Sequence, residues 1–192
     1  MTDSVATTRE FEGLHIPTAG TYKLDGAHKR IGFVARHLMV SKVRGNFAEA
    51  DATITIAEDP LQSSVTATIN TASVQTGQVD RDNHLRTGDF FEAEKYPTMT
   101  FRSTGIKSHD GAEFVLDGEL TIKDVTRPVE LVVEFEGVGR SPYGFDLFGF
   151  SAHTEIDRED WGLTYNMALE TGGGMIGKKV KIEIEGEGIR QA

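Results

Sequence analysis

The chain has 192 residues, 21 of them glycine and none cysteine, and its 30 acidic against 20 basic side chains give a formal net charge of −10. That length suits one domain with a core of its own, and the missing cysteines exclude disulfides and thiolate metal sites. The acidic balance argues against a nucleic-acid face and against attraction to an anionic membrane.

No apolar run is long enough for a transmembrane helix, so stable membrane insertion is not expected. The first twenty residues lack the charged-then-apolar layout of a signal peptide, and a cytoplasmic protein is expected. Residues 1–18 are polar and read as a flexible tail ahead of one domain over 19–192; the alternative is that Phe11, Leu14 and Ile16 pack onto the domain or a neighbouring subunit.

From there the chain alternates. Thr21 to Asp25 reads as a short strand. Lys29 to His37 is a second, with Ile31, Phe33 and Ala35 on one side. Leu38-Met39-Val40 interrupts the alternation as an apolar cluster, read as a turn or a single helical turn tucked against the core. Lys42 to Ala57 resumes it, with Ala48, Ala50, Ala52, Ile54 and Ile56 sharing a face, and Ser64 to Thr71 repeats it with Val65, Ala67 and Ile69.

Between Thr76 and Phe101 the pattern stops. Asp80, Arg81, Asp82, His84 and Arg86 surround Leu85, then come Phe90, Phe91 and Tyr96-Pro97. Asp80 to Gly88 predicts about two helical turns. Phe90 and Phe91 either touch a guest as part of a lid or fill core beneath the loop.

Strands resume at Thr98 to Ile106 and Glu113 to Lys123, joined by the hairpin signal His109-Asp110-Gly111. Asp124 to Pro128 reads as a turn. Val129 to Gly139, Phe145 to Ile156 and Lys179 to Gly188 complete the set, with an irregular stretch around Trp161 before the last. The pattern predicts an all-β protein: an eight-stranded antiparallel β-barrel with a short helical insertion near its mouth. The inward set mixes Ala48, Ala50, Ala52, Ala67, Ser103 and Gly118 with Phe33, Phe101 and Phe150. Small inward residues leave volume unfilled, which favours a ligand cavity unless the barrel flattens and closes it.

The ordered motifs Leu24-Asp25-x-x-His28, Phe33-x-x-Arg36-His37-Leu38-Met39 and Ser41-Lys42-Val43-Arg44-Gly45-x-Phe47 open a longer match. It continues through Arg81-Asp82-x-His84-Leu85-Arg86, Asp89-Phe90-Phe91, Tyr96-Pro97-Thr98-x-Thr100-Phe101, Gly118-x-Leu120-Thr121-Ile122 and Val125-Thr126-x-Pro128-Val129. It ends in Ile156-Asp157-Arg158-x-Asp160-Trp161-Gly162. Together these resemble the YceI-like family of lipocalin-like barrels, over about Thr21 to Ile189. The resemblance implies a hydrophobic tunnel holding a polyisoprenoid, such as a polyprenyl quinone or polyprenyl phosphate tail, or a fatty-acid amide. It also implies a homodimer.

Read with that resemblance, the expected tunnel lining is Ile31, Phe33, Leu38, Met39, Leu85, Phe90, Phe91, Phe101, Leu120, Phe150 and Trp161. Arg81, His84 and Arg86 are expected at the mouth, where a head group would sit. The expected function is non-enzymatic binding, storage or transport of that lipid, with no cofactor beyond the guest. His28, His37, His84 and His153 match no compact metal motif, so no metal is expected. Ser41 and Ser151 have no His/Asp partner at a telling spacing. Two alternatives stay open: an enzyme using His84 with Asp82 or Asp160 on a hydrophobic substrate, and a binding module whose dimer surface is its function.

Overall fold

The computed structural model describes residues 5–192. It opens with a small hairpin, β1 (Thr8–Phe11) and β2 (Leu14–Pro17), turning at Glu12 and Gly13, both at positive φ. The loose tail expected for 1–18 is therefore corrected from Thr8 onward, and residues 1–4 lie outside the described part. The hairpin is held by partners far away in the chain. The Thr7 amide donates to Asp146 at 3.2 Å, Arg9 donates to the carbonyls of Ala57 and Glu58, and His109 meets Glu12 at 2.8 Å.

The remaining strands are β3 (Gly20–His37), β4 (Ser41–Phe47), β5 (Ala50–Ile56), β6 (Ser64–Asn70) and β7 (Val74–Gln75). After helix α1 (Val79–Leu85) come β8 (Thr98–Asp110), β9 (Glu113–Ile122), β10 (Val125–Arg140), β11 (Asp146–Asp157) and β12 (Ile176–Arg190). β4 and β5 are two parts of one rung. Both lie on the same edge of β3, pairing Phe47 with Ile31 and Ile56 with Gly20. β6 and β7 form another such rung, pairing Ile69 with Ala50 and Val74 with Phe47.

Counted this way, eight rungs follow one another in sequence order, each antiparallel to the last. β12 then pairs back onto β3, from Val180 opposite Ala35 to Arg190 opposite Tyr22, and closes the barrel. Closure removes the open edge that an eight-rung meander would otherwise present.

Four local readings change. The two strands expected over Thr21 to His37 are one strand of 18 residues. Ala48, expected inward, sits at the break between β4 and β5 and is exposed. The turn expected over Asp124 to Pro128 is only Lys123-Asp124, because Lys123 adopts a positive φ and Ile122 already pairs with Val125. The strand expected to end at Ile106 runs on to Asp110.

The packed core lies at the α1 end, where Phe47, Ile69, Val74, Met99, Leu120, Ile122, Ile156, Trp161 and Leu163 cluster. The β1–β2 hairpin covers the opposite end with Ile16 and Pro17, both buried. Among the described residues no helix is long and apolar enough to cross a membrane.

Candidate functional site: an apolar cavity through the barrel

Alternation gives each rung one apolar face, and closure turns all those faces inward. They enclose a cavity of about 540 Å³. Its wall takes Ile31 and Phe33 from β3, Ile54 from β5, Val65 from β6, Phe101 from β8 and Leu116 from β9. β10 adds Leu131 and Val133, β11 adds Phe150, and β12 adds Ile182 and Ile184. All of these are only half-buried although they face into the barrel. Packed core side chains touch neighbours on every side; these face unfilled space on one side.

Glycines set how the aromatic rings lie on this wall. A Cβ on Gly118 would come within 2.5 Å of the Phe101 ring, on Gly188 within 2.6 Å of Phe148, and on Gly186 3.0 Å from Phe150; Phe33 crowds Gly45 in the same way. Each ring lies across the bare backbone of the next strand, an aromatic–glycine cross-strand packing. The rings thus thicken the wall and leave the lumen free. The space above Gly118, expected to be empty, is filled by Phe101.

Polar groups collect at the α1 end. Arg36 and His37 line the cavity and also reach the surface, so the cavity meets solvent there. Arg81 donates from Nε to Thr76 Oγ1 at 2.7 Å and from Nη2 to the Thr76 carbonyl at 2.9 Å. Asp82 accepts the Thr76 amide at 2.8 Å, which fixes the start of α1. His84 Nε2 lies 2.8 Å from Asp89, and its ring stands edge-on to Phe90 and Tyr165.

Arg158, 4% exposed, is also on the wall. It donates to the carbonyls of Gly177 (2.9 Å), Tyr165 (3.0 Å), Ile176 (3.3 Å) and Leu163. Burial pushes its pKa below the usual arginine value, against the opposing pull of Glu159 and Asp157. Four carbonyl dipoles hold the cation in place of a carboxylate. Sequence reading placed no weight on Arg158, because it follows an aspartate in what looks like an ion-paired turn.

Of the residues expected to line the cavity, Ile31, Phe33, Leu85, Phe90, Phe91, Phe101, Leu120 and Phe150 are on its wall, as are Arg81 and His84. Four are elsewhere. Leu38 and Met39 form the β3–β4 turn and are 39% and 65% exposed. Trp161 is buried behind the wall, its indole N–H donating to the Leu120 carbonyl at 2.9 Å. Arg86 clamps α1 to the preceding segment by donating to the Ala72 and Val74 carbonyls at 2.7 and 2.9 Å.

The acid–base arrangement considered for His84 is not formed. Asp82 is engaged by Thr76, Asp160 is exposed on the turn before Trp161, and His84 is paired with Asp89. Among the described residues, one group of metal-capable side chains lies away from α1. His28 Nδ1 lies 2.7 Å from Asp25 and 3.7 Å from Glu187. The hydrogen bond to Asp25, then the charge of Glu187, raise the His28 pKa, so the carboxylates favour a proton on the ring.

A closed antiparallel meander around an apolar lumen, polar at one end and covered at the other, defines a lipocalin-like ligand-binding barrel. The YceI-like domain model matches residues 22–188, and the chain belongs to that family. It is 39% identical to the UPF0312 protein SA2479 of Staphylococcus aureus, over 86% of this chain and 95% of that protein. The Campylobacter jejuni YCEI protein superposes with a TM-score of 0.70 at 32% identity, covering 82% of this chain and 90% of that one. A polyisoprenoid binding domain from Saccharophagus degradans has the same fold, with a TM-score of 0.64 at 16% identity over 91% and 100% of the two chains. The β1–β2 hairpin precedes the matched span.

Proposed function

We propose that this protein is a non-enzymatic carrier or reservoir for a lipid with one long apolar chain, of the polyisoprenoid or fatty-acyl type. The observation that carries the reading is the apolar cavity of about 540 Å³ enclosed by the inner faces of all eight rungs. That volume lies within the roughly 300–1,000 Å³ of pockets that enclose small ligands. Taking about 30 Å³ per non-hydrogen atom, the liquid share of one water, it accommodates on the order of 18 atoms, between three and four isoprene units. The bound form of a longer tail extends past the α1 end. A polar head group falls among Arg81, His84 and Arg158, where the two guanidinium charges favour an anionic head. The polyisoprenoid class named for the Saccharophagus degradans domain supports the choice of guest.

Native mass spectrometry of the purified protein tests this directly. The expected spectrum shows an adduct of lipid mass, displaced by added geranylgeraniol. Protein that carries no adduct and takes up neither geranylgeraniol nor palmitate would sink the reading.

A further inference from the structure

A guest insoluble in water has to be collected from, or delivered to, a bilayer, so this inference rests on the carrier reading. We infer that the β3–β4 turn and its stem are a docking surface for the face of an anionic phospholipid bilayer.

The first observation is the turn itself. Leu38, Met39 and Val40 are 39%, 65% and 80% exposed, and Met167, 53% exposed, belongs to the same patch. The Leu38 amide donates to the Met175 carbonyl at 2.8 Å, and the Met175 amide donates to the Met167 carbonyl at 2.9 Å. The patch stands where the cavity meets solvent beside His37.

Strain is the second observation. Leu38 and Met39 both hold left-handed backbone conformations, with φ of 52° and 60°. Asn and Gly occupy that region readily, whereas bulky side chains do so at a cost. The backbone here disfavours a leucine and a methionine, and exposure of most of Met39 disfavours it further. Residues kept against both pressures point to a contact outside the chain.

Charge supplies the third. Directly below the turn, Arg36 and Lys42 are cross-strand partners, and Arg44 stands opposite Val34 one step further down. Like charges placed directly opposite repel. Among the described residues, none of the three forms an ion pair; on β12, Lys178 pairs with Glu159 at 3.0 Å. β12 adds Lys179 and Lys181, whose cross-strand partners on β11 are Asp157 and Glu155. Three cations without an ion-pair partner thus stand together on this hairpin, in a chain of net charge −10. An apolar tip over a basic stem is the arrangement that seats a protein on anionic lipid: the tip enters the acyl boundary and the cations meet the head groups. Net charge hides it, because that figure averages over the whole surface. The expectation that the chain avoids anionic membranes holds for the molecule's average and not for this hairpin.

Co-sedimentation of the full chain with phosphatidylcholine vesicles, with and without about one third phosphatidylglycerol, tests the inference. Wild type should pellet with the anionic vesicles only, and less as salt rises. The pair Lys42→Glu and Arg44→Glu should weaken the binding by about fivefold or more for each charge. Leu38→Asn with Met39→Gly separates docking from folding: relief of strain should raise the melting temperature, while vesicle binding falls by tenfold or more. Wild type that does not pellet, or this double variant pelleting like wild type, overturns the inference. So does a wild-type dimer that the double variant dissociates with no change in pelleting, which makes the tip a contact between two copies. Geranylgeraniol uptake in solution should be equal in all variants. Its absence from wild type, with palmitate uptake absent too, would sink the carrier reading and leave the vesicle result standing.

Discussion

At the scale of single residues, the wall depends on backbone hydrogens. Gly118 is buried, and a Cβ there would lie 2.5 Å from the Phe101 ring and 2.9 Å from the Arg102 carbonyl. Gly118→Ala should drive that ring off its seat toward the lumen. The expected cost is about 1–3 kcal/mol of stability, the usual penalty of overpacking, together with weaker uptake of the longest guests. Thermal unfolding and a geranylgeraniol titration check both; unchanged uptake with lost stability would show that the ring moves elsewhere. Sequence alternation placed Gly118 on the inner face correctly. It did not show what covers the glycine, because the covering ring comes from another strand. The same limit misplaced Leu38, Met39 and Trp161: an apolar residue next to a strand is equally consistent with wall, turn or second layer. Asp146 marks a further point where a single side chain decides much. It accepts from Arg140 at 2.8 Å and from the Thr7 amide, and the Arg140 bond holds its carboxyl below the usual carboxylate range. A lowered folded-state pKa contributes stability that is present above the ordinary carboxylate value and lost as pH falls through the folded one. Asp146→Asn should therefore cost about 1–3 kcal/mol at neutral pH. Its melting curve should converge on that of wild type in acid, and a gap that stayed constant down to the acid limb would contradict this.

At the scale of elements, the β1–β2 hairpin sets where the cavity ends. Its strands have only four residues each, and no periodicity is visible in so short a stretch. Its anchors are also remote: Thr7 is 139 residues from Asp146. For both reasons the sequence shows a polar tail where the structure has an end cover. Helix α1 was more legible. A local run of charges around Leu85 marks it, and its fixing contacts to Thr76, Asn83 and Val74 are close in sequence. Ile16 lines the cavity from the hairpin side. Ile16→Ala removes three carbons from the cover, and Ile16→Trp adds bulk. The first should extend the longest chain that binds well, by roughly three methylenes at about fourfold in affinity each; the second should shorten it. Competition between saturated fatty acids of increasing length reads the shift. Identical length profiles in all three proteins would show that the hairpin covers the end without bounding the guest.

For the whole molecule, the eight-rung closure was the part most legible in the sequence. Period-two alternation holds over long stretches of the rungs, broken by register shifts in β8, β10 and β12, and the inward sets Val129, Leu131, Val133 and Val180, Ile182, Ile184 all face the cavity. What alternation cannot give is how much room remains between eight apolar faces, since that depends on rings lying over glycines of neighbouring strands. The enclosed volume makes a global property predictable. Each methylene moved from water to the lumen should contribute about 0.8 kcal/mol, or roughly fourfold in affinity, for as long as there is wall to receive it. With about 540 Å³ available, that rise should continue to on the order of 18 atoms and then level off, because additional atoms remain in solvent at the α1 end. A titration series from geraniol through farnesol and geranylgeraniol to a longer polyprenol traces the curve. A break near geranylgeraniol fits a barrel closed at one end and open at the other. An increase continuing past it would mean that the hairpin yields to the guest, and a flat series would mean that the lumen does not receive the chain.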